Sequence, residues 1–133
     1  MKARFLAPEV LSVLADAREK GGLSSLRAES ELLLVHHGEL GGLIAQHWQL
    51  PDRLVTGIIH HHTPDLAGDL VADAVHVANI AAKLAGTGHS AIDSDLQVAP
   101  SSLERLGMTD ANLTDLAAQV SSRLETVLAV YAA

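Results

Sequence analysis

The interior of this 133-residue chain must be built almost entirely from aliphatic side chains, because Phe5, Trp48 and Tyr131 are its only Phe, Trp or Tyr residues. Leu and Ala are strong helix formers, and together with Val they suit closely packed helices. The 48% hydrophobic content is enough to close one core at this length. We therefore expect residues 1–133 to form a single all-α domain, a compact bundle of about five to seven helices.

The charge of the chain excludes several classes of partner. Its formal net charge is −7 with neutral histidines, which argues against nucleic acid or an anionic membrane surface. Cysteine is absent, so a metal would need His and carboxylate ligands. The apolar run 74–82 is far shorter than the roughly 20 residues of a membrane span, and residues 1–9 lack an apolar signal core. We expect a cytoplasmic protein.

Gly, Pro and Ser residues divide the first half of the chain into short predicted helices. Pro is favoured at a first helical position and Gly after a last one, and Ser can cap a helix. The predicted helices run from Pro8 to Gly21, from Ser24 to a bend near His37, through Leu40 to Trp48, and from Pro51 to His62.

The second half predicts one long helix and two helices with capping signals. The long helix runs from about Leu66 to Leu84 and is apolar over most of its circumference, as central helices are. Its polar residues share one stripe, which we expect to be exposed: Asp69, Asp73, His76, Asn79 and Lys83. A loop is expected over residues 86–100. A capping box at Ser101–Glu104 then predicts a short helix ending at Gly107, and Thr109 predicts the cap of a last helix.

Histidines are concentrated at the ends of predicted helices. Consecutive helical residues point about 100° apart, so at most two of His60, His61 and His62 can face one cleft. Neutral imidazole is a good ligand for a first-row metal, and residues 37, 61, 62 and 76 lie on three helices that could converge. The alternative is structural, since the helix dipole alone favours His at a C-terminus by about 0.3–1 kcal/mol. Both interpretations stay open here.

Other polar and special residues favour structural roles. Trp48 is predicted to be a core anchor, and Gly41, one turn after His37, indicates close packing. Three acidic residues could be metal ligands or a general base, but solvated positions at helix starts are favoured: Asp65, Asp69 and Asp73. No phosphate-cradling Gly loop and no activated Ser motif is present, which excludes nucleotide-loop and serine-nucleophile chemistry.

Four linked motifs occur in order along the chain. They are Glu29-x-x-Leu32-Leu33-x-Val35-x-His37-x-Glu39-x-Gly41, Trp48-x-Leu50-Pro51, Ile58-x-x-His61-His62-x-Pro64 and Val75-His76-x-Ala78-Asn79. Together they resemble the C-terminal half of the HDOD family over about Pro8 to Tyr131. That family is a mostly non-catalytic, all-helical signalling branch of the HD-domain phosphohydrolase superfamily.

The resemblance implies an incomplete metal site. His37, His61 and His62 occupy positions that bind metal in catalytic HD relatives, and Asn79 stands where those relatives place a metal-binding Asp. An amide brings no charge, so it is a poorer ligand for a hard metal. His36 replaces an acid that is common in the family, and the helices that carry the His-Asp pair are missing upstream. We therefore expect no catalytic residues and no required cofactor, with a bound divalent metal as the alternative.

The resemblance implies a non-catalytic module for signal transduction or protein interaction. One alternative is a metal-dependent phosphohydrolase relative that completes its site with another chain, and a plainer one is a helical scaffold that acts only by oligomerisation. Loss of the front half of the family's domain would uncover apolar helix faces. We therefore expect a homo-oligomer or a complex with another signalling protein, and neither nucleic acid nor a membrane as partner.

Overall fold

The computed structural model describes residues 8–86 and 96–131, and every regular element in these two ranges is an α-helix. The all-α fold class is therefore confirmed. The helices are α1 (Pro8–Glu19), α2 (Ser25–Leu33), α3 (His37–His47), α4 (Asp52–His60), α5 (Pro64–Ala67), α6 (Leu70–Leu84), α7 (Pro100–Leu106) and α8 (Asp110–Tyr131). Within these ranges no helix is both long enough and apolar enough to cross a bilayer.

The described ranges contain eight helices rather than five to seven, because the long helix predicted from Leu66 is divided. Gly68 ends α5 in the left-handed conformation at φ 58°, which glycine adopts without steric cost. Asp69 then caps α6, since its Oδ1 accepts a hydrogen bond from the N–H of Val71 at 2.7 Å. The chain therefore turns between the two helices.

Helix α6 lies at the centre of the fold, as its apolar circumference predicts, and packs against α4, α7 and α8. The core joins Val77, Ile80 and Ala81 of α6 to Leu103 of α7 and Leu113 of α8. These aliphatic side chains are at most 6% exposed. Because α4 and α7 both pack against α6, the turn after α4 and the segment before α7 are held beside this central helix.

The polar stripe of α6 is not exposed as a whole, so that prediction is wrong. Asp73 is fully buried and His76 is 6% exposed. The Asp73 carboxylate accepts hydrogen bonds from Arg105, at 2.6 and 2.8 Å, and from the Ser102 hydroxyl at 2.6 Å. A buried charge is tolerated when it is paired in this way. Arg105 holds the pKa of Asp73 below its usual range, with the Ser102 bond acting in the same direction.

Helices α3 and α4 approach each other closely where α3 lacks side chains. A Cβ added at Gly42 would collide with Cγ1 of Ile59, and one at Gly41 would lie 3.0 Å from Cγ2 of Ile58. Both approaches are closer than a normal carbon–carbon contact. The close packing predicted at Gly41 is present, and Gly42 makes the nearer approach.

Two local predictions are wrong. Trp48 is 69% exposed instead of anchoring the core, because it is the C-cap of α3, where the chain reverses into α4 beyond the last buried turn. The capping box at Ser101–Glu104 is absent, because α7 begins at Pro100 and the Ser101 hydroxyl donates to Asp65 instead. The predicted cap at Thr109 is present, since its hydroxyl accepts from the N–H of Asn112 at 3.3 Å.

The loop predicted over residues 86–100 falls mostly outside the described residues, which end at 86 and resume at 96. Residues 96–99 are non-helical, in agreement with the prediction. Ala99 is the part of this segment that reaches the candidate site, because its N–H donates to Nε2 of His76 at 2.9 Å.

Candidate functional site

Three imidazole rings converge where α3 begins and α4 ends. Nε2 of His37 lies 3.1 Å from Nε2 of His61 and 2.8 Å from Nε2 of His62. One ring nitrogen from each of the three lies within 4.8 Å of the other two. We call these three residues the histidine cluster. The structure thus brings together the three histidines that the sequence singled out as candidate metal ligands.

The local sequence explains how these rings meet. His61 is the C-cap of α4, and His62 lies in the turn before Pro64 starts α5, so both residues follow the last residue of α4, His60. On the other side, His36 caps α3: its Nδ1 accepts from the N–H of Gly38 at 3.1 Å. The Glu39 carboxylate accepts from the N–H of His36 at 3.1 Å in return. This capping box fixes the first turn of α3, which holds His37.

Glu29 of α2 orients the His37 ring. Its Oε2 lies 2.8 Å from Nδ1 of His37 and accepts the His37 backbone N–H at 2.9 Å. An ionised carboxylate can only accept, so Nδ1 carries the proton and Nε2 presents its lone pair to the cluster. Glu29 is 5% exposed. The sequence marks Glu29 only as a motif residue, because the break between α2 and α3 hides its contact with a residue eight positions later.

A hydrogen bond also fixes the tautomer of the His61 ring, with the proton on Nδ1. Its Nδ1 lies 2.7 Å from the carbonyl oxygen of Ile58, which can only accept, so Nδ1 carries the proton here too. When both rings are neutral, two Nε2 lone pairs therefore face each other across 3.1 Å. Either an added proton or a cation between the rings would remove this repulsion.

Added protons are disfavoured on His61 and His62 near neutral pH. Burial lowers the pKa of His61, and the neighbouring histidines lower it further. Burial also lowers the pKa of His62 to about 2, together with the charges that His61 and His37 would carry. Neutral imidazoles with free lone pairs are the form in which histidine binds metal.

The donor set fits one first-row divalent ion. Two nitrogens each about 2.0–2.1 Å from one ion are about 2.8 to 3.4 Å apart at bond angles of 90° to 109°. Nε2 of His37 lies within this range of both partner nitrogens, at 2.8 and 3.1 Å, and the three ligand nitrogens lie within 4.8 Å of one another. Three neutral imidazoles suit Zn²⁺ and its neighbours rather than Mg²⁺, which prefers oxygen. A bound ion would supply a Lewis acid with a position free for water or an anion.

A carboxylate-bridged two-ion centre does not fit these residues. Among the residues that the structure describes, the cluster is the one group of three or more His, Asp or Glu side chains close enough to share an ion. The Oε2 of Glu29 is already occupied by two bonds from His37. No further described acidic side chain joins the cluster.

His76 is close to the cluster but is not arranged as a ligand. Its Nδ1 donates to the carbonyl oxygen of His61 at 2.8 Å, and its Nε2 accepts from the N–H of Ala99 at 2.9 Å. Both ring nitrogens are therefore used by backbone groups. His76 instead fastens the turn that carries His61 to α6 and to the segment before α7.

The candidate carboxylates have other partners. Asp69 caps α6 and accepts from Arg53 at 3.1 Å, and the hydrogen bond from Arg53 lowers its pKa. Asp65 accepts from Ser101 and Arg105, which lower its pKa, and Asp73 accepts from Arg105 and Ser102. All three are thus held by donors outside the cluster.

Asn79 lies one turn after His76 on α6. Its Nδ2 is buried, and within the described part of the chain it meets no hydrogen-bond partner. The resemblance places a degenerate metal ligand at Asn79, and the NH2 group of this side chain is a buried donor that cannot coordinate a cation.

The comparisons with known proteins agree with the motifs. The model of the HDOD domain family matches residues 3–64, a range that contains Glu29 and all three residues of the cluster. No match to a curated protein or to a solved structure was found. The first three motifs lie inside the matched range, and the fourth, from Val75, lies beyond it. Residues 3–64 of this chain are thus similar to the HDOD domain family.

Proposed function

We propose that this protein is a non-catalytic, HDOD-like signalling or protein-interaction module, whose histidine cluster holds an ion or ligand without turning it over. One observation carries the proposal: the cluster combines three imidazole nitrogens with no ligating carboxylate. Metal-assisted hydrolysis of a phosphate ester in a two-ion site relies on both ions to hold the attacking and leaving oxygens. The described residues supply donors for one ion.

General acid–base groups are also committed elsewhere. A general base must reach the attacking water with a free lone pair, and a general acid must reach the leaving oxygen. One oxygen of Glu29, Oε2, accepts both bonds from His37, and both nitrogens of His76 are bound to backbone groups. The residues around the cluster are therefore arranged to hold the rings in place, and this supports binding over turnover.

An apolar stripe on α3 supports an interaction role. Four of its residues follow helical spacing and are 43 to 69% exposed: Leu40, Leu43, Ile44 and Trp48. Exposed apolar patches of this kind mark interaction sites, and Trp is enriched among residues that dominate binding energy. We propose that a second copy of this chain covers the α3 stripe. Another signalling protein is the alternative occupant, and the mass in solution distinguishes the two.

The alternative function is a metal-dependent phosphohydrolase whose site is completed by another chain. The convergence of three Nε2 atoms favours it, because an ion held there would keep a position open for water. In that case the missing acid would come from the partner. Turnover would then rise with protein concentration as the oligomer forms.

The test is a hydrolysis assay on untagged protein supplied with Zn²⁺, Mn²⁺ or Mg²⁺, over a range of protein concentrations. Bis(p-nitrophenyl) phosphate and a set of nucleotides serve as substrates. We expect no more hydrolysis than with the His61→Ala and His62→Ala variants. Metal-dependent turnover that disappears in either variant would overturn the proposal, and a rate per chain that rises with concentration would favour the alternative.

A further inference from the structure

We infer that Glu29 is a positioning residue, whose buried carboxylate keeps Nε2 of His37 free of a proton and thereby prepares the histidine cluster for one first-row divalent cation. The inference deepens the proposed function, on which it rests, by naming the class of ligand that the cluster takes. The Glu29 carboxylate contacts His37 directly, so we infer that it acts through His37.

The contact fixes both the position and the rotation of the His37 ring. One oxygen of Glu29 accepts from the backbone N–H of His37 at 2.9 Å and meets its Nδ1 at 2.8 Å. Rotating the ring by half a turn would remove the second bond and leave a buried carboxylate without that partner, which is costly. Because Glu29 is 5% exposed, water competes weakly for its oxygens.

The same contact selects between two states of the cluster. With the proton on Nε2, His37 could donate directly to Nε2 of His61 across 3.1 Å, and the cluster would close as a hydrogen-bonded group. With the proton on Nδ1 of His37, the Nε2 atoms of His37 and His61 both present lone pairs, which a cation between the rings would accept. Glu29 stabilises the second state, because only that tautomer donates to its carboxylate.

The negative charge of Glu29 also favours a bound cation. Three neutral imidazoles bring no charge to offset a divalent ion in a partly buried site. Glu29 places a negative charge directly behind one of the three ligands. Carboxylates that bind the distal nitrogen of a ligating His fix its tautomer and raise its basicity, and their loss typically weakens metal binding about 10–100-fold.

The substitution that tests the inference is Glu29→Gln, which keeps the shape of the side chain while removing the charge. Its amide can donate to Nδ1 of His37 and so favour the wrong tautomer. The matched control is Glu31→Gln on the same helix, because Glu31 is exposed and pairs with Arg27 at 2.8 Å. A His60→Ala variant controls for metal bound adventitiously by the run of three histidines.

Two readouts are used on untagged protein that has not passed over a nickel column. Zn²⁺ affinity is measured by competition with a chromophoric chelator, and Co²⁺ spectra report the coordination of the ion. Metal-free protein is studied by long-range ¹H–¹⁵N NMR, which reports the tautomer of His37. The NMR measurement on the unchanged protein remains decisive even where Glu29→Gln fails to fold.

We expect Zn²⁺ binding in the unchanged protein, about 10–100-fold weaker binding in Glu29→Gln, and unchanged binding in Glu31→Gln and His60→Ala. We also expect Nδ1–H on His37 in the unchanged protein and Nε2–H in Glu29→Gln. Three results would each overturn the inference: no Zn²⁺ binding, affinity kept within twofold in Glu29→Gln, or Nε2–H on His37 in the unchanged protein. None of these results alters the hydrolysis assay, so failure of the proposed function is detected separately.

Discussion

His76 donates from Nδ1 to the carbonyl oxygen of His61 at 2.8 Å, and it is a buried residue of the central helix α6. Its other nitrogen accepts from Ala99 at 2.9 Å. A single side chain therefore ties the turn bearing two of the cluster residues to the core and to the segment before α7. The cluster depends for its shape on a residue that is not itself a ligand.

Replacing His76 with Ala should lower the free energy of unfolding by about 2–4 kcal/mol, because it leaves a buried carbonyl and a partly buried N–H without partners. Urea unfolding followed by circular dichroism gives the value. His47→Ala is the control, since His47 lies on the exposed face of α3 and should change the free energy by less than about 0.5 kcal/mol. Equal losses in the two variants would contradict the structural role of His76.

Arg105→Gln should destabilise the protein by about 3 kcal/mol, because the fully buried carboxylate of Asp73 loses the cation that neutralises it. Arg27→Gln is the matched control, since its pair with Glu31 is exposed and is worth less than about 1 kcal/mol. Thermal and urea unfolding compare the two variants. A loss at Arg105 as small as that at Arg27 would show that the buried pair does not hold α7 to α6.

Gly42→Ala should destabilise the protein by about 1–3 kcal/mol, although Ala is the better helix former, because the new Cβ would collide with Ile59. The second variant, Ile59→Ala, removes the atoms that would collide. In the double variant the added methyl should cost nothing further, and a double-mutant cycle measures this coupling. Additive losses would mean that the two helices do not meet at Gly42.

Acidification should destabilise the metal-free protein because of His62. Its pKa is lowered to about 2 by burial and by its neighbours, whereas an unfolded histidine titrates near 6.5. The unfolded state therefore binds more protons below pH 6.5, and stability falls as the pH falls through this window. Urea unfolding in the presence of a chelator should show a shallower fall between pH 6.5 and 4 for His62→Gln. Identical slopes would contradict the lowered pKa.

Trp48→Ala should weaken self-association while leaving stability nearly unchanged, since the side chain is 69% exposed. Light scattering coupled to size exclusion, run over a range of concentrations, reports the mass in solution. Leu66→Ala is the control, because Leu66 is 77% exposed and lies on α5, away from the α3 stripe. A monomer at all concentrations for the unchanged protein would rule out a second copy as the occupant.

Much of the fold was predictable from the sequence, because local signals decide it. Helix α1 begins at Pro8, as the preference of proline for a first helical position predicts. The predicted caps are present at Ser24 and Thr109. Gly107 ends α7 in the left-handed conformation that its position indicates. The sequence predicts α5 and α6 as one long helix because the apolar pattern continues across Gly68. Such a pattern indicates which residues are buried, but it does not show that the chain turns at Gly68.

The contacts of the site were less predictable, because they join residues far apart in sequence. Asp73 looked exposed, since its position on the helix gives no sign of Arg105, its partner from α7. Trp48 looked buried because large aromatics usually are, yet it is the C-cap of α3 and is 69% exposed. The contact between Glu29 and His37 joins α2 to α3 across the break between them. Because the chain is not helical there, the spacing of the two residues does not predict that their side chains face each other.

The most direct measurement of the central claim is the number of ions that one chain binds. Native mass spectrometry of untagged protein titrated with Zn²⁺ gives this number. We predict one ion per chain, lost in His61→Ala and retained in His60→Ala, because three imidazoles converge on one point with no carboxylate beside them. Two ions bound per chain, both lost in His61→Ala, would contradict the account.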